Sequence, residues 1–258
     1  MLRGDAAFRT EGIFCRVLGT MVIASAIPKA LSAATPIKID DASALLVIDV
    51  QNGFLPGGSL AVKDGDQVIP VINRIAKGFA NVVVTQDWHT AGHISFASSH
   101  PGKKPFELID LPYGKQVLWP DHCVQETDSA ALSKDLLIPQ AGLVVRKGFH
   151  KHVDSYSAFT EADGKTTTGL AAYLKARKLR RLFVAGLATD FCVAWTALDA
   201  RKAGFEVYVV EDHADHVFST HKTQQEAIDW AKKQGHSPLV ARVRHLNDKN
   251  KPDQWRAA

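Results

Sequence analysis

Ala44-Leu45-Leu46-Val47-Ile48-Asp49-Val50 is an apolar run of strand length broken by a single acid. A continuous apolar run, as opposed to an alternating one, is what a strand buried on both faces requires. Further along the chain the period changes. Val68, Val71, Ile72, Ile75 and Phe79 recur at the spacing of an amphipathic helix. Asn81-Val82-Val83-Val84-Thr85-Gln86 then makes a second strand and Leu143-Val144-Val145-Arg146-Lys147 a third. A helix over 169–178 leads to a fourth strand, Leu182-Phe183-Val184-Ala185-Gly186. The pattern continues with a helix over 190–203 stopped by Gly204, a strand over 205–210, a helix over 224–233 and a last strand over 239–243. This alternation predicts an α/β fold, a three-layer αβα sandwich around a mostly parallel, six-stranded Rossmann-like sheet. Ligands of such sheets sit at the C-terminal ends of the strands. Asp49, Asp87, Lys147 and Cys192 all fall at those ends or just beyond them.

The 258 residues are 46% apolar and 22% charged, with a formal charge of +4, enough for one good-sized core. Lys and Arg are scattered, and no helix-turn-helix, zinc-finger or RNA-binding pattern is present, which argues against a nucleic-acid partner. At the N-terminus Arg3, Arg9 and Arg16 precede an apolar run over 17–27 and then Ala30-Leu31-Ser32-Ala33-Ala34. That order is the pattern of an export signal cleaved near Ala33, although Asp5, Glu11 and Pro28-Lys29 weaken it. The expected organisation is a signal peptide or disordered leader over 1–35, one domain over 40–247 and a polar tail over 248–258. A real signal implies a periplasmic or exported protein, and an ordinary extension a cytoplasmic one. The apolar run is too short to anchor the mature chain in a membrane.

Gly186-Leu187-Ala188-Thr189-Asp190-Phe191-Cys192 joins a strand to a helix and puts Cys192 near the first turn. Backbone N–H groups and the helix dipole there lower a thiol pKa, and the same N–H groups can hold an oxyanion. The alternative is a small core residue. Asp49 lies inside an apolar strand, which is costly unless the acid is paired or functional. Lys147, followed by Gly148, ends another strand and offers the matching cation. Together they make a usable set, in which the carboxylate accepts the thiol proton and the lysine stabilises developing negative charge. Asp87-Trp88-His89 and the later Trp119-Pro120-Asp121-His122-Cys123 supply one carboxylate and two imidazoles. That donor set suits one divalent transition metal ion such as zinc, iron or manganese. His93 is a further candidate ligand or a donor behind the ligands. His100, His150 and His152 read as surface or substrate-rim residues, and Cys123 as a buried structural thiol.

In combination these stretches resemble the nicotinamidases, within the isochorismatase-like cysteine hydrolases. The likeness runs in order through Leu46-Val47-Ile48-Asp49-Val50-Gln51-Asn52-Gly53-Phe54, Gly57-Gly58-Ser59-Leu60-Ala61-Val62 and Gln86-Asp87-Trp88-His89. It continues through His93-Ile94-Ser95-Phe96-Ala97-Ser98, Trp119 to Val124, Asp154-Ser155-Tyr156-Ser157-Ala158-Phe159 and Gly186 to Cys192. The resemblance implies a catalytic triad of Asp49, Lys147 and Cys192 and a metal, zinc favoured, on Asp87, His89 and His122. It also implies an oxyanion hole from the N–H groups of Ala188 and Cys192 beside a cis Leu187-Ala188 peptide, and a substrate pocket of Phe54, Trp119, Tyr156 and Leu187. The implied substrate is nicotinamide, with pyrazinamide as surrogate. Another amide or an isochorismate-like ether is the competing substrate, a ligand-binding protein that kept the fold is a third reading, and a homo-oligomer is allowed. One departure stands out. Gly53 occupies a position where close relatives usually carry Asp, which is expected to loosen the loop after Asp49.

Overall fold

The computed structural model describes residues 15–17, 39–210, 239–241 and 255–257. The central strand is β2 (Ser43–Ile48); β1 is Cys15–Val17. All six residues of β2 are buried, which accounts for its unbroken apolar character. β3 (Val82–Asp87) pairs with it in parallel on one side and β7 (Arg181–Gly186) on the other. β6 (Ala141–Lys147) adds to β3 and β8 (Glu206–Val210) to β7, both in parallel. β1 closes the sheet antiparallel to β8, giving the order β1-β8-β7-β2-β3-β6.

Side chains alternate across a strand, so β2 feeds two cores. Leu45 and Val47 pack with Ile69 and Ile72 of α1 (Val68–Ala76) on one face. Leu46 and Ile48 pack on the other with Leu170 and Leu174 of α2 (Leu170–Ala176) and Ala197 and Ala200 of α3 (Ala194–Lys202). The chain leaves β2 toward β3 by way of α1 and later returns to β7 on the opposite side. The two paths diverge at the β2–β7 border, where open α/β sheets form a crevice at their C-terminal edge.

Three features differ from the expectation. The long connection after β3 contains a two-stranded hairpin, β4 (Leu108–Leu111) with β5 (Gly114–Val117). The sixth strand of the main sheet is β1, lying within the stretch read as a leader. The strand expected over 239–243 is present as β9 (Leu239–Ala241) but pairs antiparallel with β10 (Trp255–Ala257). That pairing closes a shorter loop than return to β8 would, and shorter closures cost less entropy. It also places a strand within the expected polar tail. The helix over 224–233 and the cleavage region near Ala33 lie outside the described residues. Among the described residues no helix is long and apolar enough to cross a membrane.

Candidate active site

Asp49 follows β2 directly and adopts φ 47°, a left-handed conformation that Asp tolerates better than most residues. Its amide donates to Thr85 Oγ1 at 3.0 Å, and the Thr85 hydroxyl donates back to Oδ1 at 2.6 Å. The second carboxylate oxygen lies 2.9 Å from Lys147 Nζ. Register brings in the next acid: Asp87 and Lys147 are direct partners across β3 and β6, and their side chains form a hydrogen-bonded ion pair. Lys147 Nζ also donates to the Ser155 carbonyl at 2.9 Å and lies 3.4 Å from Cys192 Sγ. Asp49 and Lys147 are wholly inaccessible to solvent. An ammonium so buried is tolerable only because every neighbour is an acceptor. Burial opposes its charge, but Asp49 and then Asp87 outweigh burial and hold its pKa above the ordinary lysine value.

Cys192 sits in a wide π-type turn, Thr189–Val193, just ahead of α3; the Val193 amide donates to the Ala188 carbonyl at 3.1 Å. The expected depression of its thiol pKa is corrected by its surroundings. Burial pushes the thiol well up; Lys147 pulls it down, but Asp49 and Asp87 push with burial. Two carboxylates around one ammonium already leave the cluster negative, so a resting thiolate would add a second uncompensated charge. Burial, against the pull of Lys147 and with the push of Asp87, likewise raises Asp49 above the usual carboxylate range. The resting pair is therefore a thiol beside a carboxylate with raised proton affinity. Sγ and one carboxylate oxygen each of Asp49 and Asp87 lie within 4.8 Å of one another.

Asp87 faces two imidazoles on its other side. His89 Nε2 is 3.7 Å and His122 Nε2 3.9 Å from Asp87 Oδ2. His89 Nδ1 lies 2.9 Å from the Gly148 carbonyl, and His122 Nδ1 2.7 Å from the Pro120 carbonyl. A carbonyl only accepts, so both Nδ1 atoms carry a proton and both Nε2 atoms face the carboxylate; burial opposes a charge on His89, but Asp87 outweighs it and raises that ring above its ordinary pKa. Outer hydrogen bonds that select the tautomer and aim the ring are what a histidine metal site needs. Burial and then the charge on His89 hold His122 down to about 4 despite Asp87, which leaves it neutral at physiological pH. The residues fit a divalent ion.

A family model for the isochorismatase domain matches residues 43–247. The chain belongs to the isochorismatase family. Within that family it is 60% identical over 169 residues to the nicotinamidase of Acinetobacter baylyi, covering 66% of this chain and 79% of that protein. A solved nicotinamidase/pyrazinamidase of Acinetobacter baumannii is similar at 55% identity and TM-score 0.66, over 77% of this chain and 96% of that one. The zinc complex of the pyrazinamidase of Pyrococcus horikoshii is similar at 32% identity and TM-score 0.53, over 75% of this chain and 96% of that one.

Against that family background the remaining residues fall into place. The Leu187-Ala188 peptide is cis. Leu187 and Phe54 are buried in one small cluster with Cys123, and the Phe54 ring is 5.5 Å from His122. Trp119 meets Phe191 edge-on at 5.0 Å and Tyr156 at 6.4 Å. His93 is placed differently from the metal set. Its Nε2 faces the carbonyls of His150 and Val153 at 3.0 and 3.1 Å, so that nitrogen is protonated and holds no lone pair for an ion. Nδ1 pairs with Ser95 Oγ at 2.8 Å, and the ring packs on His89 at 4.4 Å. His93 instead clamps the chain after Lys147 against the back of His89. A second donor grouping, His89 with His93 and Asp154, shares that His89. His150 pairs with Glu161, His152 is exposed, and His100 bonds the Ile94 carbonyl. Cys123 and Cys192 are both free and buried.

Gly53 is closely packed. A Cβ there would stand 2.4 Å from Ser129 Oγ and 3.0 Å from Cys123 Sγ. Ser129 fills the space a side chain at 53 would take, and its hydroxyl accepts from the Cys123 amide at 2.9 Å. Gln51, given no role from the sequence, holds the Asp87 backbone from both sides: Nε2 donates to Asp87 O and the Asp87 amide donates to Oε1, both at 2.8 Å.

Proposed function

We propose that this chain hydrolyses nicotinamide to nicotinate and ammonia, and pyrazinamide likewise, through an acyl-thioester on Cys192. The observation that carries the reading is the convergence of a buried Asp49–Lys147–Cys192 cluster and an Asp87/His89/His122 donor set on one shared ion pair, Asp87–Lys147. Asp49 accepts the Cys192 proton as the sulfur attacks the carboxamide carbon. Lys147 stays charged and offsets the negative charge passing among sulfur, substrate and carboxylate. The N–H groups of Ala188 and Cys192 receive the oxyanion. Asp49 returns the proton to the departing ammonia, then takes one from the water that cleaves the thioester. Asp87, His89 and His122 would hold a divalent transition ion, zinc favoured among zinc, iron and manganese, which would supply a Lewis acid for the pyridine nitrogen. Phe54, Trp119 and Leu187 wall the ring. Export remains our proposal from the N-terminal pattern, tested by mass spectrometry of the chain's start in the envelope fraction.

Ammonia release from nicotinamide by the purified protein tests the function. Activity is expected to vanish on chelation and return with zinc, iron or manganese. Absence of nicotinamide turnover in the metal-loaded protein would overturn the proposal and favour another small amide or ether.

Gly148 offers a sharper test of the donor set. It sits at φ +66°, and a Cβ would stand 2.6 Å from His89 Cε1 and 2.9 Å from Nδ1. Gly148→Ala must therefore displace the ring that its own carbonyl orients. Zinc affinity, measured by competition with a chromophoric chelator, is expected to drop about 10–100-fold. An unchanged affinity would remove His89 from the set.

A further inference from the structure

Tyr156 stands between two spaces. Its ring lies 5.6 Å from Phe191, the residue before Cys192, and 6.4 Å from Trp119. It also lines a cavity of about 610 Å³ that includes Phe159, Glu161 and Trp195 and none of the Asp49, Lys147 or Cys192 side chains. The ring is held in place by its hydroxyl. Trp119 Nε1 donates to it at 3.2 Å and Gln116 Nε2 at 3.1 Å. Gln116, buried at the inner face of the β4–β5 hairpin, also donates to Asp154 Oδ2 at 2.6 Å and accepts from the Tyr113 hydroxyl at 3.0 Å. Two side chains thus anchor one ring, which has Phe191 and Trp119 as neighbours and also lies 6.2 Å from Trp195 of the cavity lining.

We propose that Tyr156 is a specificity-determining residue, the partition that confines the substrate to a single aromatic ring, and that Gln116 is the positioning residue that keeps this partition closed. The inference rests on the carboxamide-hydrolase reading and extends it to substrate size. An apolar wall discriminates weakly between near-isosteres but rejects a larger group by overlap. Truncating most wall residues would leave an isolated void. Truncating Tyr156 joins the substrate pocket to a cavity that already exists, so a second fused ring gains room without displacing packed core.

The test is the ratio of kcat/KM for a bicyclic carboxamide to that for nicotinamide. Quinoline-3-carboxamide and isoquinoline-4-carboxamide extend the pyridine ring along different edges while keeping the nitrogen-to-carboxamide relation. Tyr156→Ala is expected to raise the ratio about 100-fold for at least one of them, and Tyr156→Phe, which keeps the ring but loses the hydroxyl that anchors it, only about 10-fold. Gln116→Met is expected to move it about 10-fold in the same direction, chiefly through a higher KM for nicotinamide with kcat kept. If near-UV circular dichroism shows Tyr156→Ala unfolded, Tyr156→Leu carries the same measurement. A ratio unmoved in the folded truncation, or moved equally by Tyr156→Phe, overturns the partition. Failure of the wild type on nicotinamide overturns the proposed function instead, so the two failures are distinguishable.

Discussion

Cys192→Ala is expected to lower ammonia release from nicotinamide by at least about 10⁴-fold, since no acyl-enzyme can form without the sulfur. The substitution removes one atom from a site that is already tightly packed, and Ala suits both the turn and the start of α3. Folding and metal affinity should therefore remain near wild type, which separates a chemical loss from a structural one. Removing a neutral thiol changes no charge around Lys147, so the cost to stability is confined to the small space left by the sulfur. Trapping provides an independent readout: rapid acid quench of the wild type should leave a nicotinoyl adduct on the peptide carrying Cys192, and the variant none. Activity above about 1% of wild type would place the nucleophile elsewhere.

Lys147→Met should be the most damaging single change to stability. Met matches the length of the stem but leaves Asp49 and Asp87 facing each other in a dry site. Breaking a buried ion pair from one side costs about 3–5 kcal/mol. The pH dependence identifies the cause. Burial raises the Asp87 carboxyl, yet Lys147, with His89 and His122, outweighs it and holds Asp87 below its ordinary 3.8. In the wild type that depression contributes stability above about pH 4 and loses it as the pH falls further. Without the ammonium both acids would have folded-state values above the unfolded one, so the folded form binds more protons and loses stability as the pH rises. The gap between wild type and variant, from urea denaturation, should be small near about pH 4 and widen toward neutrality. A gap independent of pH would mean that lost packing, not charge, sets the effect.

The strand ends are plain in the sequence, because a charged residue closing an apolar run must be paired or functional. Asp49, Asp87 and Lys147 are legible for that reason, and parallel register makes Asp87 and Lys147 direct partners, with Asp49 just past the end of β2. His122 is legible only through its motif, since the hairpin-bearing loop that brings it to Asp87 has no period. Gln51, Thr85 and Gln116 act through backbone groups or through one another, and such bonds leave no mark on spacing. Gly148 is required by a contact with His89, which no local pattern announces. The acidity of Cys192 escapes the sequence for a related reason. A helix start is visible there, whereas the number of buried carboxylates around a sulfur is a property of the assembled site. The sixth strand is not chosen by sequence either, because β1 and β9 are equally short and length alone does not select an edge.

One ammonium bridging Asp49 and Asp87 means the two halves of the site cannot be tuned separately. Because both acids lean on that one ammonium, a change at either is felt at the other. The buried thiol keeps its proton until it attacks, and a protonated thiol resists the oxidants that would otherwise consume it.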